Sequence, residues 1–379
     1  MSRKPVIAYI SSADPSNKRV WSGTHYSIYN CLRELGEVAV CGPYEPKRQL
    51  LLGAIINQVL QKTTGKRFDY RHSYMVAKAY GRYFQKKIEA IRPDIIVAPA
   101  ASAEMAFVKT TIPVIYITDG TFGGCLNYHK VLTNLADFNI RQGNDIEKRV
   151  IQSSRFVVVS SNWAAESVIR QYHKNADDVK CFPYGANFDQ LPDTTPIALE
   201  MTPFKLLFVG VYWESKGGAI AYNAFKQLKD RGWPVTLTIM GCEPPEECKT
   251  DGVSVLPFLD KNSVQGQETM KSIYSSHHLL LLPTRFDCTP IVINEASAFG
   301  MPSLVANSGG VAGHLKNGIN GYLVPYEDQG IGYATIVESL LKEPEKYSEL
   351  RKRSRQLYLE ELNWDQWKNN FKSLLTSLL

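Results

Sequence analysis

Lys216 stands six residues beyond Gly210 in Leu206-Leu-Phe-Val-Gly210-Val-Tyr-Trp-Glu-Ser-Lys216-Gly-Gly218. An apolar run that stops at a glycine reads as a buried strand entering a turn, and the glycine lets the backbone approach a ligand. The helix expected next offers unpaired N–H groups to an anion, with the Lys216 ammonium beside them. A diphosphate is the natural guest; a solvated lysine in an ordinary turn is the competing reading. The phosphate-loop pattern Gly-x4-Gly-Lys-Ser/Thr is absent.

A second constellation runs from Pro283 to Ala296: Pro-Thr-Arg-Phe-Asp-Cys-Thr-Pro-Ile-Val-Ile-Asn-Glu-Ala. A strand ends at Pro283 and a helix opens near Pro290, a residue suited to a first turn. Arg285 can fork onto phosphate oxygens, and the backbone around Thr289, Pro290 and Ile291 forms a second anion-binding helix start. Asp287 and Glu295, eight apart, are poor phosphate ligands but good acceptors for hydroxyl groups. Acids for sugar or ribose hydroxyls beside cations for a diphosphate suit a sugar nucleotide. The plainer alternative makes Asp287 a helix cap and Glu295 a surface acid.

These residues need a scaffold, and the hydrophobic pattern supplies one. β-Branched runs alternate with amphipathic stretches, the mark of parallel sheets with crossover helices. The expected strands are Pro5–Ser11, Val38–Cys41, Asp94–Ala98, Val114–Thr118 and Phe156–Ser160, then Leu206–Val209, Val235–Met240, Val253–Leu256, Leu279–Leu282, Ser303–Val305 and Gly321–Val324. Helices are expected at 24–35, 72–91, 140–153 and 162–173, then 216–230, 267–275, 291–299, 330–342 and 345–361, with a last one from Trp364. A turn-rich stretch near 187–202 reads as a linker between two α/β domains. A cleft between two such domains is where a ligand is expected to bind.

Composition narrows the classes. With 379 residues, 44% apolar and 21% charged, the chain reads as an ordinary globular protein of two domains. Its apolar runs fall short of the roughly 20 residues that span a bilayer. The start of the chain lacks the apolar core and cleavage site of a signal peptide, so a cytoplasmic location is the expectation. Seven scattered cysteines give no Cys-x2-Cys pair, and no metal cage is written. Residues 1–190 carry 25 Lys/Arg against 16 Asp/Glu, whereas residues 191–379 carry 18 against 21. Segment 47–92 alone holds 11 basic side chains against Asp69 and Glu89. Such a patch suits anionic lipid headgroups, acidic glycans or phosphorylated substrates, or is simply a solvated helix face. No nucleic-acid-binding motif accompanies it.

Taken together, the motifs resemble a known family. Gly210-x5-Lys216-Gly, the run from Pro283 through Gly300-Met-Pro302, Ser308-Gly-Gly and Asn317-Gly-Ile-Asn-Gly-Tyr-Leu-Val-Pro325 are similar to those of the retaining glycosyltransferases of family 4. The likeness is dense from about 204 to 325. It continues more loosely through Val157-Val-Val-Ser-Ser-Asn-Trp163 and Cys181-Phe-Pro-Tyr-Gly-Ala-Asn187 to Asn363-Trp364.

The resemblance implies an α/β protein of the GT-B fold: two Rossmann-like, doubly wound parallel-sheet domains facing across a cleft. The first would be an acceptor domain over 1–190, the second a donor domain over 200–360. A last helix, about 363–379, would cross back to the first. It implies transfer of a sugar, with retention, from a nucleoside-diphosphate sugar to a hydroxyl acceptor, as in polysaccharide biosynthesis. The acceptor expected is a glycan or a lipid-linked precursor, reached at the inner face of the membrane through segment 47–92. No cofactor is expected, the sugar nucleotide being a substrate. There is no Asp-x-Asp segment, so no divalent metal is expected either.

Residue by residue, the resemblance places Asp287 at the donor sugar, Glu295 at the ribose, Lys216 at the diphosphate and Phe258-Leu259 at the base. Gly210, Arg285, Thr289, Pro290 and Ile291 complete the donor site. Two departures stand out: the first acid is Asp287 rather than Glu, and Val211 replaces an arginine common in the family. In the first domain, Trp21-Ser22-Gly23-Thr24-His25 resembles the glycine loop beside diphosphate and acceptor, with His25 otherwise a half-buried histidine. Asp119 stands where the family often has histidine; it would hold a sugar hydroxyl or assist the attacking one, or else cap its own turn. Gly123 to His129 reads as a flexible loop, with Asn127 and His129 as weaker acceptor candidates. Open alternatives are a GT-B sugar-nucleotide epimerase and a non-catalytic sugar-nucleotide or glycan-binding protein.

Overall fold

The structure, a computed structural model, describes residues 3–191 and 200–379. The linker expected near 187–202 lies largely outside them. The chain divides into two units: residues 1–182 with 368–379, and residues 183–367.

Unit 1 begins β1 (Val6–Tyr9), α1 (Thr24–Leu35), β2 (Glu37–Val40), α2 (Lys47–Thr64), α3 (Tyr74–Ile91) and β3 (Ile95–Pro99). It continues through the one-turn α4 (Ser102–Met105), β4 (Val114–Thr118), the one-turn α5 (Phe122–Cys125), α6 (Asp137–Ser153), β5 (Phe156–Val159), α7 (Asn162–Arg170) and β6 (Val179–Cys181). All strand pairs are parallel, in the order β2-β1-β3-β4-β5-β6. Both faces of β3 and β4 are buried, so these strands read as unbroken apolar runs. In α3, Val76, Tyr80, Phe84 and Ile88 turn inward at helical spacing, while Lys78, Arg82 and Lys86 stay exposed.

Unit 2 contains β7 (Phe204–Val209), α8 (Gly218–Asp230), β8 (Val235–Met240), β9 (Val253–Leu256), α9 (Val264–Ser276) and β10 (Leu279–Leu282). Then come α10 (Ile291–Ala298), β11 (Ser303–Ala306), β12 (Gly321–Val324), α11 (Ile331–Lys342) and α12 (Pro344–Glu360). The sheet is again parallel, in the order β12-β11-β10-β7-β8-β9. Alternation along β7 feeds two cores: Leu206 and Phe208 pack with α8 and α11, and Leu207 packs with α9 and α10. Each such fully buried side chain contributes about 1.5–3 kcal/mol, which is why a continuous Leu279–Leu282 run is tolerated here and nowhere exposed.

The final helix, α13 (Trp364–Thr376), passes from one unit to the other. Its start belongs to unit 2, where Trp364 stacks on Tyr184 at 5.6 Å and its indole N–H reaches Asn187 Oδ1 at 3.1 Å. Its remainder belongs to unit 1, with Lys368 paired to Glu34 at 2.6 Å and Phe371, Leu374 and Leu375 buried.

Two expectations need correction. The sequence pattern predicts no helix between 35 and 72, yet α2 fills 47–64; its apolar residues fall on both the core side and the exposed side, so no single apolar face stands out. The three-residue edge strand β6 also goes unforeseen, being too short and too polar to stand out.

Candidate functional site

In unit 2, β7 and β10 are sheet neighbours whose connections leave in opposite directions along the sheet. Ligands of doubly wound sheets sit at the carboxyl ends of the strands flanking such a reversal. Lys216 follows β7 and Asp287 follows β10, so the topology alone brings them together. Their side chains meet, Lys216 Nζ lying 2.5 Å from Asp287 Oδ2, in a partly buried pair.

The two loops are laced to each other. The Arg285 amide donates to the Ser215 carbonyl at 2.8 Å, and the Thr284 hydroxyl donates to the carbonyls of Phe286 at 2.8 Å and Ser215 at 3.3 Å. From the next loop, the Gly310 amide donates to the Asp287 carbonyl at 3.1 Å, and the Ser308 hydroxyl to the Thr284 carbonyl at 3.2 Å. Gly217 has φ +75°, and a Cβ there would fall 2.0 Å from the Pro283 carbonyl oxygen. A Cβ on Gly210 would meet Lys216 Cγ at 2.8 Å, so glycine at 210 is what allows the lysine stem to lie flat on the strand end.

The structure adds partners to three donor-site candidates. Arg285 is braced by its own surroundings, with its Nη2 buried and without a hydrogen-bond partner. Its Nε donates to the Pro283 carbonyl at 3.1 Å, its Nη1 to the Tyr326 carbonyl at 2.5 Å, and its guanidinium lies 4.1 Å from the Tyr326 ring. Backbone carbonyls in a half-buried site hold the planar fork, and the arginine braces one loop on another. The start of α10 is partly self-satisfied: the Ile291 amide donates to Thr289 and the Ile293 amide to Pro290, both at 2.9 Å.

Glu295 is 0% exposed. Its Oε1 is held by the Lys261 ammonium, and its Oε2 accepts from the Tyr274 hydroxyl at 2.9 Å. Burial, then the neighbouring Glu295 charge, raises the Tyr274 phenol well above its ordinary range, so it stays a donor. Glu295 is therefore an inward-facing anchor, and the member of the pair with any exposure is Lys261. Lys261 and Tyr274 are functional candidates that the sequence reading missed. Lys261 lies only two residues past Leu259, but no spacing rule joins it to an acid 34 positions on. Phe258 is half exposed just beyond β9, while Leu259 packs on the core beneath α9 and α10.

In unit 1, Trp21, Ser22 and Gly23 run consecutively at positive φ (49°, 55° and 93°) before Thr24 opens α1. That backbone turns the Trp21 indole N–H onto Asp119 Oδ2 at 3.0 Å. Asp119 thus accepts from the tryptophan, and the Thr118 hydroxyl donates to the Gly120 carbonyl at 2.7 Å in the same turn. His25 points into the core: Nδ1 lies 2.7 Å from the Tyr9 hydroxyl, and burial lowers its pKa to about 4. It is more deeply buried than the half-buried alternative, with its ring 5.4 Å from that of Trp21.

The stretch expected as a flexible loop, Gly123 to His129, is a pinned turn. The Gly123 amide donates to the Tyr172 hydroxyl at 2.8 Å, and Asn127, at φ 59°, donates its amide to the Leu132 carbonyl. His129 Nδ1 accepts from the Val131 amide. Among the described residues no group of three or more His, Cys, Asp or Glu is placed to hold a metal ion.

Two parallel, doubly wound sheets in one chain define the GT-B class of fold. Within it, residues 203–343, which lie in unit 2, match the family model described as "Glycosyl transferases group 1". Among curated proteins, the chain is 22% identical over 251 residues to the D-inositol 3-phosphate glycosyltransferase of Corynebacterium diphtheriae, covering 61% of this chain and 57% of that protein. The chain spans about half the length of the curated relatives it matches. Among solved structures, the sucrose-phosphate synthase of Thermosynechococcus elongatus superposes with TM-score 0.72 at 16% identity over 99% of both chains. The Anabaena protein HepE, solved with UDP and glucose, does so with TM-score 0.67 at 16% identity over 98% of this chain and 100% of that one. At such identities these likenesses carry the fold.

Proposed function

We propose that the protein is a retaining glycosyltransferase that moves a sugar from a nucleoside-diphosphate sugar to a hydroxyl of a glycan or lipid-linked precursor without a divalent metal. The observation that carries the reading is the Lys216–Asp287 pair at the strand reversal of the unit that matches the group 1 glycosyl transferases. Negative charge grows on the departing diphosphate as the glycosidic bond breaks, and a fixed ammonium in a half-buried site stabilises that charge where water would do so weakly. Lys216 is that ammonium. Asp287 holds it in place and, once the diphosphate takes the lysine, is left to accept a hydroxyl of the donor sugar. Lys261, anchored by Glu295, replaces Glu295 as the group that meets the nucleotide ribose.

Unit 2 would bind the donor near Gly210, Phe258 and Thr289, and unit 1 the acceptor near Trp21, Ser22, Thr24 and Asp119, with Asn127 at the edge. The protein would work in the cytoplasm, against the inner face of the membrane. No described helix is long and apolar enough to cross a membrane.

The test is release of free nucleoside diphosphate from a panel of UDP-, GDP- and ADP-sugars, with a chelator present. UDP-glucose is the first donor to try, since the similar HepE was solved with UDP-glucose. A donor that raises the melting temperature but yields no diphosphate with any acceptor supports a binding protein instead. Conversion of the donor to its epimer supports an epimerase.

A further inference from the structure

Helix α2 (Lys47–Thr64) packs on unit 1 by one side: Leu50 joins the core, Gly53 lies against Tyr70, and Asn57 Oδ1 accepts from the Phe68 amide at 2.8 Å. The opposite side is apolar as well. Leu51 (66% exposed), Leu52 (48%), Ile55 (50%), Ile56 (36%) and Val59 (56%) follow i, i+4, i+8 spacing and form one strip facing water. Over 51–59 the strip runs about 12 Å along the helix. Isolated exposed apolar side chains are ordinary, but five contiguous ones on a single helix face mark an interaction surface.

The charges around the strip say what covers it. Between Pro46 and Phe68 there is no acid, while exposed Lys47 and Arg48 precede the strip and exposed Lys62 and Lys66 follow it. A second copy of α2 would set like charges against like at both ends of a helix pair. An anionic lipid surface takes both features at once: apolar side chains sink to the acyl boundary and the flanking cations meet headgroup phosphates.

We propose that α2 docks the protein on an anionic bilayer, its Leu51–Val59 strip inserted at the interface and its terminal lysines and arginine on phosphate. The proposal stands apart from the donor chemistry, which unit 2 carries.

Co-sedimentation of the full chain with phosphatidylglycerol/phosphatidylcholine vesicles tests it, with pure phosphatidylcholine vesicles as comparison. Strong binding to the anionic vesicles is expected, weakened by salt. Replacing Leu51, Ile55 and Val59 together by Gln, and separately Lys47, Arg48, Lys62 and Lys66 by Gln, is expected to lower the partition coefficient about tenfold or more in each case. The single change Ile55→Gln gives a smaller loss in the same direction. Because the side chains are exposed, melting temperature and any nucleotide-induced shift should not move. The proposal is overturned if the wild-type chain ignores anionic vesicles or if the triple apolar variant binds them undiminished. It is equally overturned if the strip instead drives a lipid-independent dimer that the triple variant abolishes.

Discussion

Lys216 and Asp287 are 71 residues apart in sequence and 2.5 Å apart in space. Lys216→Ala is expected to lower kcat/KM about 100-fold or more, as loss of a charge-stabilising donor does, while leaving the melting temperature near its wild-type value. Nucleotide-release kinetics on the purified variant check this, and undiminished turnover would remove the lysine from the mechanism. The Lys261–Glu295 pair makes a different prediction, because Glu295 has no access to water. Glu295→Gln leaves a nearly buried ammonium uncompensated and should cost about 3–5 kcal/mol of stability. Adding Lys261→Met should restore part of that loss, so a double-mutant cycle by urea unfolding should show clear coupling. Spacing and residue type sufficed to single out Lys216, Asp287 and Glu295 as candidates. Their partners were not legible, since which lysine reaches a buried acid depends on how α9 and α10 pack. Arg285 makes the same point from the other side. A guanidinium suited to phosphate is equally suited to two carbonyls and a tyrosine ring, and only tertiary placement decides between them.

Scaffolding elements hold these side chains in register. Gly217 combines φ +75° with a Cβ position blocked by the Pro283 carbonyl, whereas Gly232, at φ +80°, has nothing within 4 Å. Gly232→Ala should therefore cost only the backbone strain, about 1 kcal/mol. Gly217→Ala should cost clearly more and should also abolish any nucleotide-induced thermal shift, because the lacing of the two loops must open. Equal penalties would mean the loop contact is not what positions Lys216. Strands were legible either as apolar runs buried throughout, as in β10, or as β-branched alternation, as in β8; β4, β8, β9, β10 and β12 begin and end where the pattern places them. The Asn317 to Pro325 motif was legible as a motif but not as to its task. Asn320 ties the Lys316 amide, the His314 carbonyl and Ser297, and Asn317 accepts from the Leu323 amide, so its polar residues shape the entry to β12. Helix α2 escaped because a helix apolar on two sides shows no contrast between an apolar and a polar face.

Across the whole molecule, buried titratable groups divide unevenly. Burial holds His278 and His314 of unit 2, and His25 of unit 1, neutral with pKa values of about 4. Between about pH 6.5 and 4 the unfolded chain binds more protons than the native one at these sites, so their contribution is present at neutral pH and lost on acidification. In unit 1, burial raises Glu104 and Glu147, and the Asp69 hydrogen bond and charge outweigh burial to raise His72. Groups with raised values work in the opposite sense and favour the native state as pH falls. Unit 2 is therefore expected to lose stability first as pH drops from 7 to 5. Unfolding followed calorimetrically should show its transition moving down and separating from that of unit 1; transitions that move together would contradict the assignment.

The division of the chain has one more consequence, for the nascent polypeptide. Unit 1 is complete only when the segment carrying the buried Phe371, Leu374 and Leu375 arrives, and the ribosome must translate all of residues 183–367 before it reaches them. Until then the apolar seat of those side chains stays open, a surface for chaperones to shield. Stopping translation at 367 should yield a product whose amino-terminal half is cleaved readily by protease, even though its own strands are all present.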